Sequence, residues 1–469
     1  MIATSDIQNF FFLGIGGIGQ SALARYFHQR GFVVGGYDRT PSPLTKTLED
    51  EGIPVIYNDD IDEVHAKMSD MSVRHTLIVR TPAVPEENAI YTWLRENGYD
   101  IRKRAVVLGL VTEQLKALCV AGTHGKTTTS TMLAHLMYRS ELGGSAFLGG
   151  ISMNYGTNLL VDKNSPYAVV EADEYDRSFH HLKPYMSVVT AVDPDHLDVY
   201  GSVEAYREAF AQYTSLITGA LVIKQGIALT PRLKKGVKCY TYGVLEKGQT
   251  AEGLDFYADN IREGNGEIRF DFHTPTQMVA DVQLGVPVYV NIENAVAAMS
   301  VAWLNGMSSE ELRIGVASFK GVQRRFSIHV NTPRVAYIDD YAHHPKEIAT
   351  AIHSIRRLFP ERRLIGVFQP HLYTRTRDFA EEFKQVLSGL DECMLLPIYP
   401  AREEPIPGVT SEILGGTVVE KKDLLQVLKD KVQNAKEPLA ILTVGAGDID
   451  RFVPEIKKAL KAFKQKTEN

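Results

Sequence analysis

The sequence VAGTHGKTTT at residues 120–129 is the feature that most limits how this chain can fold. An apolar run precedes it and a helical pattern follows it, which predicts a strand, a glycine-rich loop and a helix in succession. In that setting the backbone N–H groups of residues 122–125 face a bound phosphate, and the helix that starts near Lys126 adds the positive end of its dipole. The segment therefore predicts ATP chemistry.

Two side chains of this loop have the expected chemistry. The Lys126 ammonium would reach the terminal phosphates, and the Thr127 hydroxyl would bind Mg²⁺. The loop departs from the pattern G-x-x-x-x-G-K-[ST] at Val120, so an ordinary glycine-rich turn is the alternative interpretation. The residues predicted here to bind ATP are Gly122, Thr123, His124, Gly125, Lys126, Thr127 and Thr128.

A second glycine turn lies near the N-terminus, where residues 9–38 alternate strand, turn, helix and strand. Gly14, Gly16 and Gly19 fit G-x-G-x-x-G, and Asp38 ends the second strand where a dinucleotide fold places its ribose-binding acid. The pattern indicates a diphosphate at a helix N-terminus and does not identify the nucleotide.

The composition of the chain argues against several classes of protein. A chain of 469 residues with 44% apolar and 23% charged residues is typical of a multidomain globular protein. A net charge of −6 argues against a nucleic-acid partner. Three isolated cysteines argue against disulfides or a thiolate metal site, and the absence of an export signal or a long apolar run favours a cytoplasmic protein without membrane insertion.

The order of predicted strands and helices gives three α/β domains in series, at residues 1–110, 111–323 and 324–469. The first and last are expected to be Rossmann-like, and the central one to resemble a P-loop ATPase. Both a monomer and a homodimer are compatible with the sequence.

Acidic residues follow two strands of the central domain. Glu171 ends a strand about 45 residues after the Lys126 loop, where an open α/β sheet places a further Mg²⁺ ligand. The run DPDHLD, which includes His196, fits a dinuclear hydrolase site, a metal-phosphate site or a capped helix start.

Polar residues also follow strands of the third domain. IDDYAHHPKEI contains His344 and Glu347, a pair that suggests zinc, although the neighbouring Pro345 makes a substrate-facing loop the better interpretation. FQPHLYTRTRD contains arginines suited to a carboxylate or a phosphate. Arg324 and Arg325 begin this domain and are both candidates for a cation that contacts ATP.

Ten motifs, in order and over nearly the whole chain, resemble those of the Mur ligase family: GIGGIG, AGTHGKTTT, EADEYDRSF, DPDHLD, NIENAVAA, GVQRRF, DDYAHHPKE, FQPHLYTRTRD, YPAREEP and GAGDI. The resemblance implies that the first domain holds a UDP-sugar, the central domain holds ATP and the third brings the amino acid. The implied substrates are UDP-N-acetylmuramate and L-alanine, with ATP and Mg²⁺ as cofactors.

The resemblance also implies roles for single residues. Thr127 and Glu171 would bind one Mg²⁺ and His196 a second, Asn294 would recognise adenine, and Arg325 would contact ATP. Lys126, His343, His371 and Arg375 would be catalytic. The residues implied in substrate binding are Gly14, Gly16, Gly17, Ile18, Gly19, Arg104, Tyr341, His343, His371 and Arg375.

The chain departs from the family pattern at three places. Val290 stands where the family has histidine before its adenine motif, so adenine contacts depend on Asn294 and Asn291. Residues 80–83 replace the usual Ser-Ser-Ala of the UDP domain. Residues 208–213 contain no lysine, which excludes the carbamylated lysine of some members.

Three other functions compete with an alanine-adding ligase. A ligase that adds a whole murein peptide to the same sugar is one, and the SFHHLKP and DPDHLD segments disfavour it. A nicotinamide-dependent oxidoreductase would use the first glycine turn but leaves Lys126 unexplained. An ATP-dependent interaction module would release phosphate without an amino acid.

Overall fold

A computed structural model describes residues 4–68, 71–195, 197–264, 267–401 and 403–463. The chain forms two compact units. Unit 1 consists of Met1–Ile261, Phe270–Gln283 and Glu293–Lys320, and unit 2 of Arg262–Arg269, Leu284–Ile292 and Gly321–Asn469. Unit 1 holds the first sheet and most of the second, and unit 2 holds the third sheet.

The first sheet has five parallel strands in the order β3-β2-β1-β4-β5. Its strands are β1 Asn9–Leu13, β2 Val33–Tyr37, β3 Val55–Ile56, β4 Thr76–Arg80 and β5 Asp100–Lys103. The helices of this domain are α1 Ile18–Gln29, α2 Pro43–Asp50, α3 Ile61–Lys67, α4 Ala89–Glu96 and α5 Arg104–Glu113. The strand order reverses between β1 and β4, and ligands of open α/β sheets bind at such a point.

The second sheet has ten strands in the order β15-β14-β13-β12-β11-β10-β6-β9-β7-β8. Its strands are β6 Lys116–Ala121, β7 Ser145–Phe147, β8 Leu159–Leu160, β9 Tyr167–Ala172, β10 Pro184–Val189, β11 Ala220–Lys224, β12 Lys238–Val244, β13 Phe256–Gly264, β14 Glu267–His273 and β15 Met278–Gln283. The helices are α6 Lys126–Arg139, α7 Leu197–Tyr200, α8 Val203–Thr214, α9 Val290–Leu304 and α10 Ser309–Ser318. Strand β6 is parallel to β9 and β10 on its two sides, which buries it and explains its apolar sequence.

The third sheet has six strands in the order β16-β17-β21-β18-β19-β20, and only β16 pairs antiparallel to its neighbour. Its strands are β16 Ser327–Asn331, β17 Val335–Asp340, β18 Arg363–Phe368, β19 Glu392–Leu395, β20 Thr417–Val418 and β21 Leu439–Val444. The helices are α11 Pro345–Leu358, α12 Tyr373–Asp378, α13 Ala380–Leu387, α14 Leu424–Asn434 and α15 Val453–Ala462. Short 3₁₀ segments occur at Thr4–Asp6, Tyr175–His181, Ser411–Leu414 and Asp448–Phe452.

The predicted fold class, three α/β domains in series, is confirmed. Helix α9 begins at Val290, so Asn291 and Asn294 both lie in its first turns. No helix among the described residues has both the length and the apolarity to cross a membrane.

One apolar core in unit 1 is shared by the first two domains. It includes Leu23 of α1, Leu108 of α5 and Phe147 of β7, and the rings of Tyr26 and Phe147 lie 5.1 Å apart. Because this core is continuous, the turn after β1 and the loop after β6 are held by the same packing.

A buried histidine holds the helix that follows the Lys126 loop. His135 of α6 is 1% exposed. Its Nδ1 lies 2.9 Å from the Tyr155 hydroxyl and its Nε2 lies 3.0 Å from Ser318 Oγ at the end of α10. Burial, together with the positive charges of Arg139 and Lys320, lowers the pKa of His135 to about 4.

We expect His135 to make unit 1 sensitive to acid. The pKa of His135 is about 4 in the folded protein and the usual value for histidine is 6.5, so between these two pH values the unfolded chain binds more protons than the folded one. The free energy of unfolding should therefore fall as the pH is lowered from about 6.5 to about 4. His135→Gln cannot titrate and should show a smaller fall in unfolding temperature across the same window, measured by scanning calorimetry. His353→Gln, at an exposed position, is the control, and equal pH dependence in all three proteins would contradict this role.

Candidate functional site

The loop between β6 and α6 has the conformation expected of a phosphate loop. Gly125 precedes the helix with φ +80°, and Gly122 has φ +131°, both in a region that side chains rarely adopt. A Cβ on Gly122 would lie 2.8 Å from the backbone N of Ala191. These two glycines are therefore required by the backbone itself.

The two residues that follow β10 hold the loop in place by hydrogen bonds. Thr190 Oγ1 donates to His124 O at 2.5 Å, and Thr123 N–H donates to Ala191 O at 3.1 Å. Thr123 Oγ1 also lies 2.8 Å from the Tyr206 hydroxyl. The loop is thus fixed before any ligand binds, which is the preorganisation that phosphate binding favours.

Lys126 forms a buried ion pair with Glu174, a residue that sequence reasoning missed. Its Nζ lies 2.8 Å from Glu174 Oε2 and donates to Gly122 O at 2.8 Å, and the two side chains are 14% and 2% exposed. Burial would lower the pKa of Lys126, but Glu174, Glu171 and Asp173 outweigh it and raise that pKa. The ammonium is therefore charged and already paired within the loop.

Thr127 and Glu171, the two residues implied as Mg²⁺ ligands, are brought together. Thr127 Oγ1 donates to Glu171 Oε1 at 3.2 Å. A Cβ on Gly149 would overlap the Glu171 carboxylate, so a glycine at this position leaves the space that the carboxylate occupies. A hydroxyl and a carboxylate at this spacing fit a hard cation with oxygen ligands.

The rest of the predicted metal set has a different outcome. His196 lies outside the described residues. Within the described ranges no group of three or more His, Cys, Asp or Glu residues has metal-binding geometry. Of the three predicted metal ligands, Thr127 and Glu171 are therefore the pair that the described residues bring together.

Asn294 lies against the same loop. Thr129 Oγ1 donates to its Oδ1 at 3.1 Å, and a Cβ on Gly125 would lie 2.9 Å from that oxygen. Asn291 donates from Nδ2 to Val286 O at 3.2 Å. Val290, which replaces the family histidine, is 40% exposed.

The first glycine turn is built differently from a dinucleotide fingerprint. Gly14 has φ +83° and donates to Tyr37 O at 2.7 Å, which folds the turn over the end of β2. Asp38 Oδ2 accepts the Gly16 N–H at 2.8 Å. The acid expected to bind a ribose therefore holds the turn itself.

A cavity of about 280 Å³ in unit 1 joins this turn to the acidic end of β9. Of the predicted substrate residues, Gly17, Ile18, Gly19 and Arg104 line it, whereas Gly14 and Gly16 do not. The remaining lining residues are Gln20, Ala22, Thr81, Leu108, Phe147, Leu148, Gly149, Glu171 and Asp173.

Arg104 and the glycine turn fit each other closely. A Cβ on Gly19 would lie 2.8 Å from Arg104 Nη1, and Arg104 Nη2 lies 3.9 Å from Asp173 Oδ2. One end of the cavity therefore combines helix α1's N-terminus with a guanidinium, which suits a diphosphate, and the other end contains Glu171.

Asn158 connects the first two domains beside this cavity. Its Nδ2 donates to Ile18 O at 2.6 Å and to Ser21 Oγ at 3.0 Å, and its Oδ1 accepts from Arg25 Nη1 at 2.7 Å. Arg25 is also paired with Glu51 at 2.7 Å. No sequence motif pointed to Asn158, since its partners lie about 140 residues away.

In unit 2, the predicted residues gather at the carboxyl ends of β17 and β18. The rings of His343 and His371 are 6.2 Å apart, and that of Tyr341 lies 5.3 Å from His343. Burial and the positive charges of Arg375 and Arg325 lower the pKa of His343, partly opposed by Glu347. His343 is therefore neutral near pH 7 and is able to accept a proton.

His344 and Glu347 have structural contacts. His344 caps α11, where its Nδ1 accepts the Lys346 N–H at 3.3 Å. Glu347 Oε2 accepts the His343 N–H at 3.0 Å. These contacts agree with the loop interpretation of this segment.

Family models match this chain in three consecutive segments. They are described as Mur ligase family, catalytic domain, at residues 9–115; Mur ligase middle domain, at residues 120–302; and Mur ligase, glutamate ligase domain, at residues 324–447.

Similar proteins cover nearly the whole chain. A UDP-N-acetylmuramate--L-alanine ligase of Phocaeicola vulgatus is 52% identical and the match covers 96% of this chain and 98% of that protein. The protein of the same name from Porphyromonas gingivalis is 51% identical, and the match covers 97% of this chain and 100% of that protein. The crystal structure of UDP-N-acetylmuramate-alanine ligase MurC from Thermotoga maritima has a TM-score of 0.79 at 27% identity, and the match covers 97% of this chain and 99% of that one.

A murein peptide ligase from Psychrobacter arcticus has the same fold, with a TM-score of 0.66 at 20% identity over 97% of this chain and 98% of that one. Its likeness extends to the fold alone.

Loss of the Glu174 carboxylate should destabilise unit 1. Glu174→Gln leaves the Lys126 ammonium with only Glu171 and Asp173 nearby, and we expect a loss of about 2 to 3 kcal/mol in the free energy of unfolding. Urea unfolding of the nucleotide-free protein measures it. Glu310→Gln, which breaks an exposed pair with Arg313, is the control and should change the value by less than about 0.5 kcal/mol. Equal effects from both substitutions would contradict the importance of the buried pair.

Proposed function

The chain belongs to the Mur ligase family, and we propose that it is an ATP-dependent ligase that joins L-alanine to the carboxylate of UDP-N-acetylmuramate, with release of ADP and phosphate. The observation that carries the proposal is the cavity that runs from the first glycine turn and Arg104 to Glu171 and Asp173. It suits a long anionic substrate whose reactive end lies beside the ATP loop.

In this proposal the two ends of the sugar nucleotide have different partners. The diphosphate binds at the N-terminus of α1, where Gly17, Ile18 and Gly19 present backbone N–H groups and Arg104 supplies positive charge. The muramate carboxylate extends towards Glu171.

ATP binds in the loop after β6. Residues 122–128 surround its phosphates, Asn294 recognises the adenine and Arg325 contacts the nucleotide. Thr127 and Glu171 hold Mg²⁺, which screens the negative charge of the phosphates when it is bound. The Lys126 ammonium has three N–H donors, so it binds the γ-phosphate while it keeps its contact with Glu174.

The chemistry follows from the weakness of a carboxylate as an electrophile. Attack of the muramate carboxylate on the γ-phosphorus gives an acyl phosphate and ADP, while Lys126 stabilises charge on the transferring group. The alanine amine then attacks the acyl carbon and phosphate leaves. Neutral His343 is suited to accept the amine's proton, and Arg375 and His371 to bind the alanine carboxylate or the developing oxyanion.

The alternative functions receive less support from the relatives and from the structure. The relatives that share half of their residues with this chain are named for alanine addition, and the murein peptide ligase shares the fold only. A nicotinamide-dependent oxidoreductase leaves the loop after β6 and the buried pair of Lys126 and Glu174 unexplained. A cytoplasmic location, where ATP is available, is part of the proposal.

The proposal is tested by phosphate release. Protein with ATP, Mg²⁺, UDP-N-acetylmuramate and L-alanine should release phosphate at a rate that depends on both substrates, and mass spectrometry should detect the alanyl product. Glycine should react more slowly by about 10-fold or more, since the methyl group that it lacks contributes about 1 to 3 kcal/mol. Phosphate release that ignores the amino acid, or a preference for a tripeptide, would sink the proposal.

Lys126 offers a second test because its role in catalysis can be separated from its role in stability. Lys126→Met should lower turnover by at least about 100-fold and also destabilise the fold, since it leaves Glu174 buried without its ammonium.

The double variant Lys126→Met/Glu174→Gln separates the two effects. It removes both charges, so it should recover most of the lost stability in urea unfolding while turnover stays low. Recovery of turnover in the double variant would show that Lys126 acts only by neutralising Glu174.

A further inference from the structure

The two adjacent arginines at the start of the third domain have opposite surroundings. Arg324 Nη2 donates to Gly445 O at 2.5 Å, its Nε lies 3.4 Å from Asp339 Oδ2 and its Nη1 lies 3.8 Å from Asp450 Oδ2. The Arg325 side chain forms no hydrogen bond or ion pair with the part of the chain that the structure describes. Sequence alone made both residues candidates for contact with ATP.

Both arginines lie near the ring of Tyr341. The guanidinium carbon of Arg324 is 5.1 Å from the ring centroid and that of Arg325 is 5.4 Å from it. Arg324 O also accepts the Tyr341 N–H at 2.6 Å. A cation near an aromatic ring is attracted to it, so Arg324 connects Arg325 and Tyr341 through both side chain and backbone.

The backbone on either side of Arg325 is strained. Arg324 has φ +60° and Phe326 has φ +47°, and such conformations in residues other than glycine cost about 1 to 3 kcal/mol each. They persist only where the surroundings fix them. Here Arg324 contacts the end of β17, the residue after β21 and the 3₁₀ segment Asp448–Phe452, and Phe326 N–H donates to Asp340 Oδ2 at 2.8 Å.

The carboxylate of Asp339, which forms an ion pair with Arg324, is itself deeply buried. The Asp339 side chain is 1% exposed, and Thr443 Oγ1 donates to its Oδ1 at 2.9 Å. Burial raises the pKa of Asp339, and Arg324 opposes that effect. An arginine held this tightly is a poor candidate for a ligand of an incoming nucleotide, because binding ATP would leave a buried carboxylate without its cation.

We infer that Arg324 is a positioning residue which, through its contacts with Asp339, Gly445 and Tyr341, holds Arg325 and Tyr341 in place for ATP and alanine. The inference rests on the proposed function for the contact of Arg325 with ATP, and on the family resemblance for the role of Tyr341 in substrate binding. It assigns direct contact with ATP to Arg325 alone.

A positioning role has a kinetic signature. Substitution of Arg324 should raise the KM for ATP and the KM for alanine together, since Arg325 and Tyr341 are both released. The KM for UDP-N-acetylmuramate should not change, because its proposed partners, the N-terminus of α1, Arg104 and Glu171, all lie in unit 1. If Arg324 were needed only for folding, its substitution would lower the amount of active enzyme and leave the KM values for all three substrates unchanged.

Arg324→Lys and Arg324→Gln test this in the full-length protein. The glutamine variant should raise both KM values by about 10-fold, and the lysine variant, which keeps the charge beside Asp339, by less. Arg334→Lys is the matched control, because Arg334 also donates to a backbone carbonyl, Val432 O at 3.0 Å, but at the end of α14. It should leave the KM values as in the wild type.

Three results would overturn the inference: a rise in the KM for ATP alone, a fall in kcat with no change in KM, or an effect of Arg334→Lys equal to that of Arg324→Lys. Inactive wild-type enzyme would instead count against the proposed function. A crystal structure of Arg324→Gln then decides the positioning role by itself: displaced Tyr341 and Arg325 side chains support it, and unchanged positions refute it.

Discussion

The buried pair of Lys126 and Glu174 is the interaction around which the ATP loop is organised. A buried ammonium is costly unless it is paired, and here a carboxylate 2.8 Å away and the carbonyl of Gly122 satisfy it. The positive φ values of Gly122 and Gly125 allow the loop to fold tightly enough for the lysine to reach both partners. The same charge that stabilises the nucleotide-free protein is then available to a phosphate, so little rearrangement of the loop is needed.

Much of this arrangement follows from local sequence. A buried parallel strand has an apolar sequence, and the loop at its carboxyl end has polar residues, so Glu171, Tyr341 and His371 could be placed at strand ends in advance. The glycines at residues 122 and 125 indicated a tight turn, because glycine readily adopts the positive φ values that such a turn requires. The fold class follows from the alternation of these signals along the chain.

Contacts between distant segments could not be predicted in this way. Asn158 contacts Ile18 across about 140 residues, and nothing near it in sequence marks it as different from other asparagines. Glu174 was visible as one acid in EADE, but only the kinked 3₁₀ segment that starts at Tyr175 places it on Lys126. Such residues depend on the packing of whole domains.

Asp38 illustrates how a residue expected to bind a ligand can also have a structural contact. Its position after β2 is that of a ribose-binding acid, and its carboxylate accepts the Gly16 N–H. A carboxylate has about four acceptor sites, so this contact stabilises the turn without using all of them. The glycine pattern therefore describes the turn and does not by itself identify the ligand that the turn binds.

The adjacent arginines extend this argument to the third domain. Identical side chains, one residue apart, differ in surroundings because a left-handed residue at Arg324 turns the chain so that one guanidinium meets Asp339 and Gly445 while the next does not. Residue type alone could not separate a ligand from its support. What separates them is direct contact: Arg324 is paired with the buried Asp339 and donates to Gly445 O. Burial raises the pKa of Asp340 and the positive charge of Arg325 opposes that rise, but among the described residues Arg325 forms no hydrogen bond or ion pair with this carboxylate.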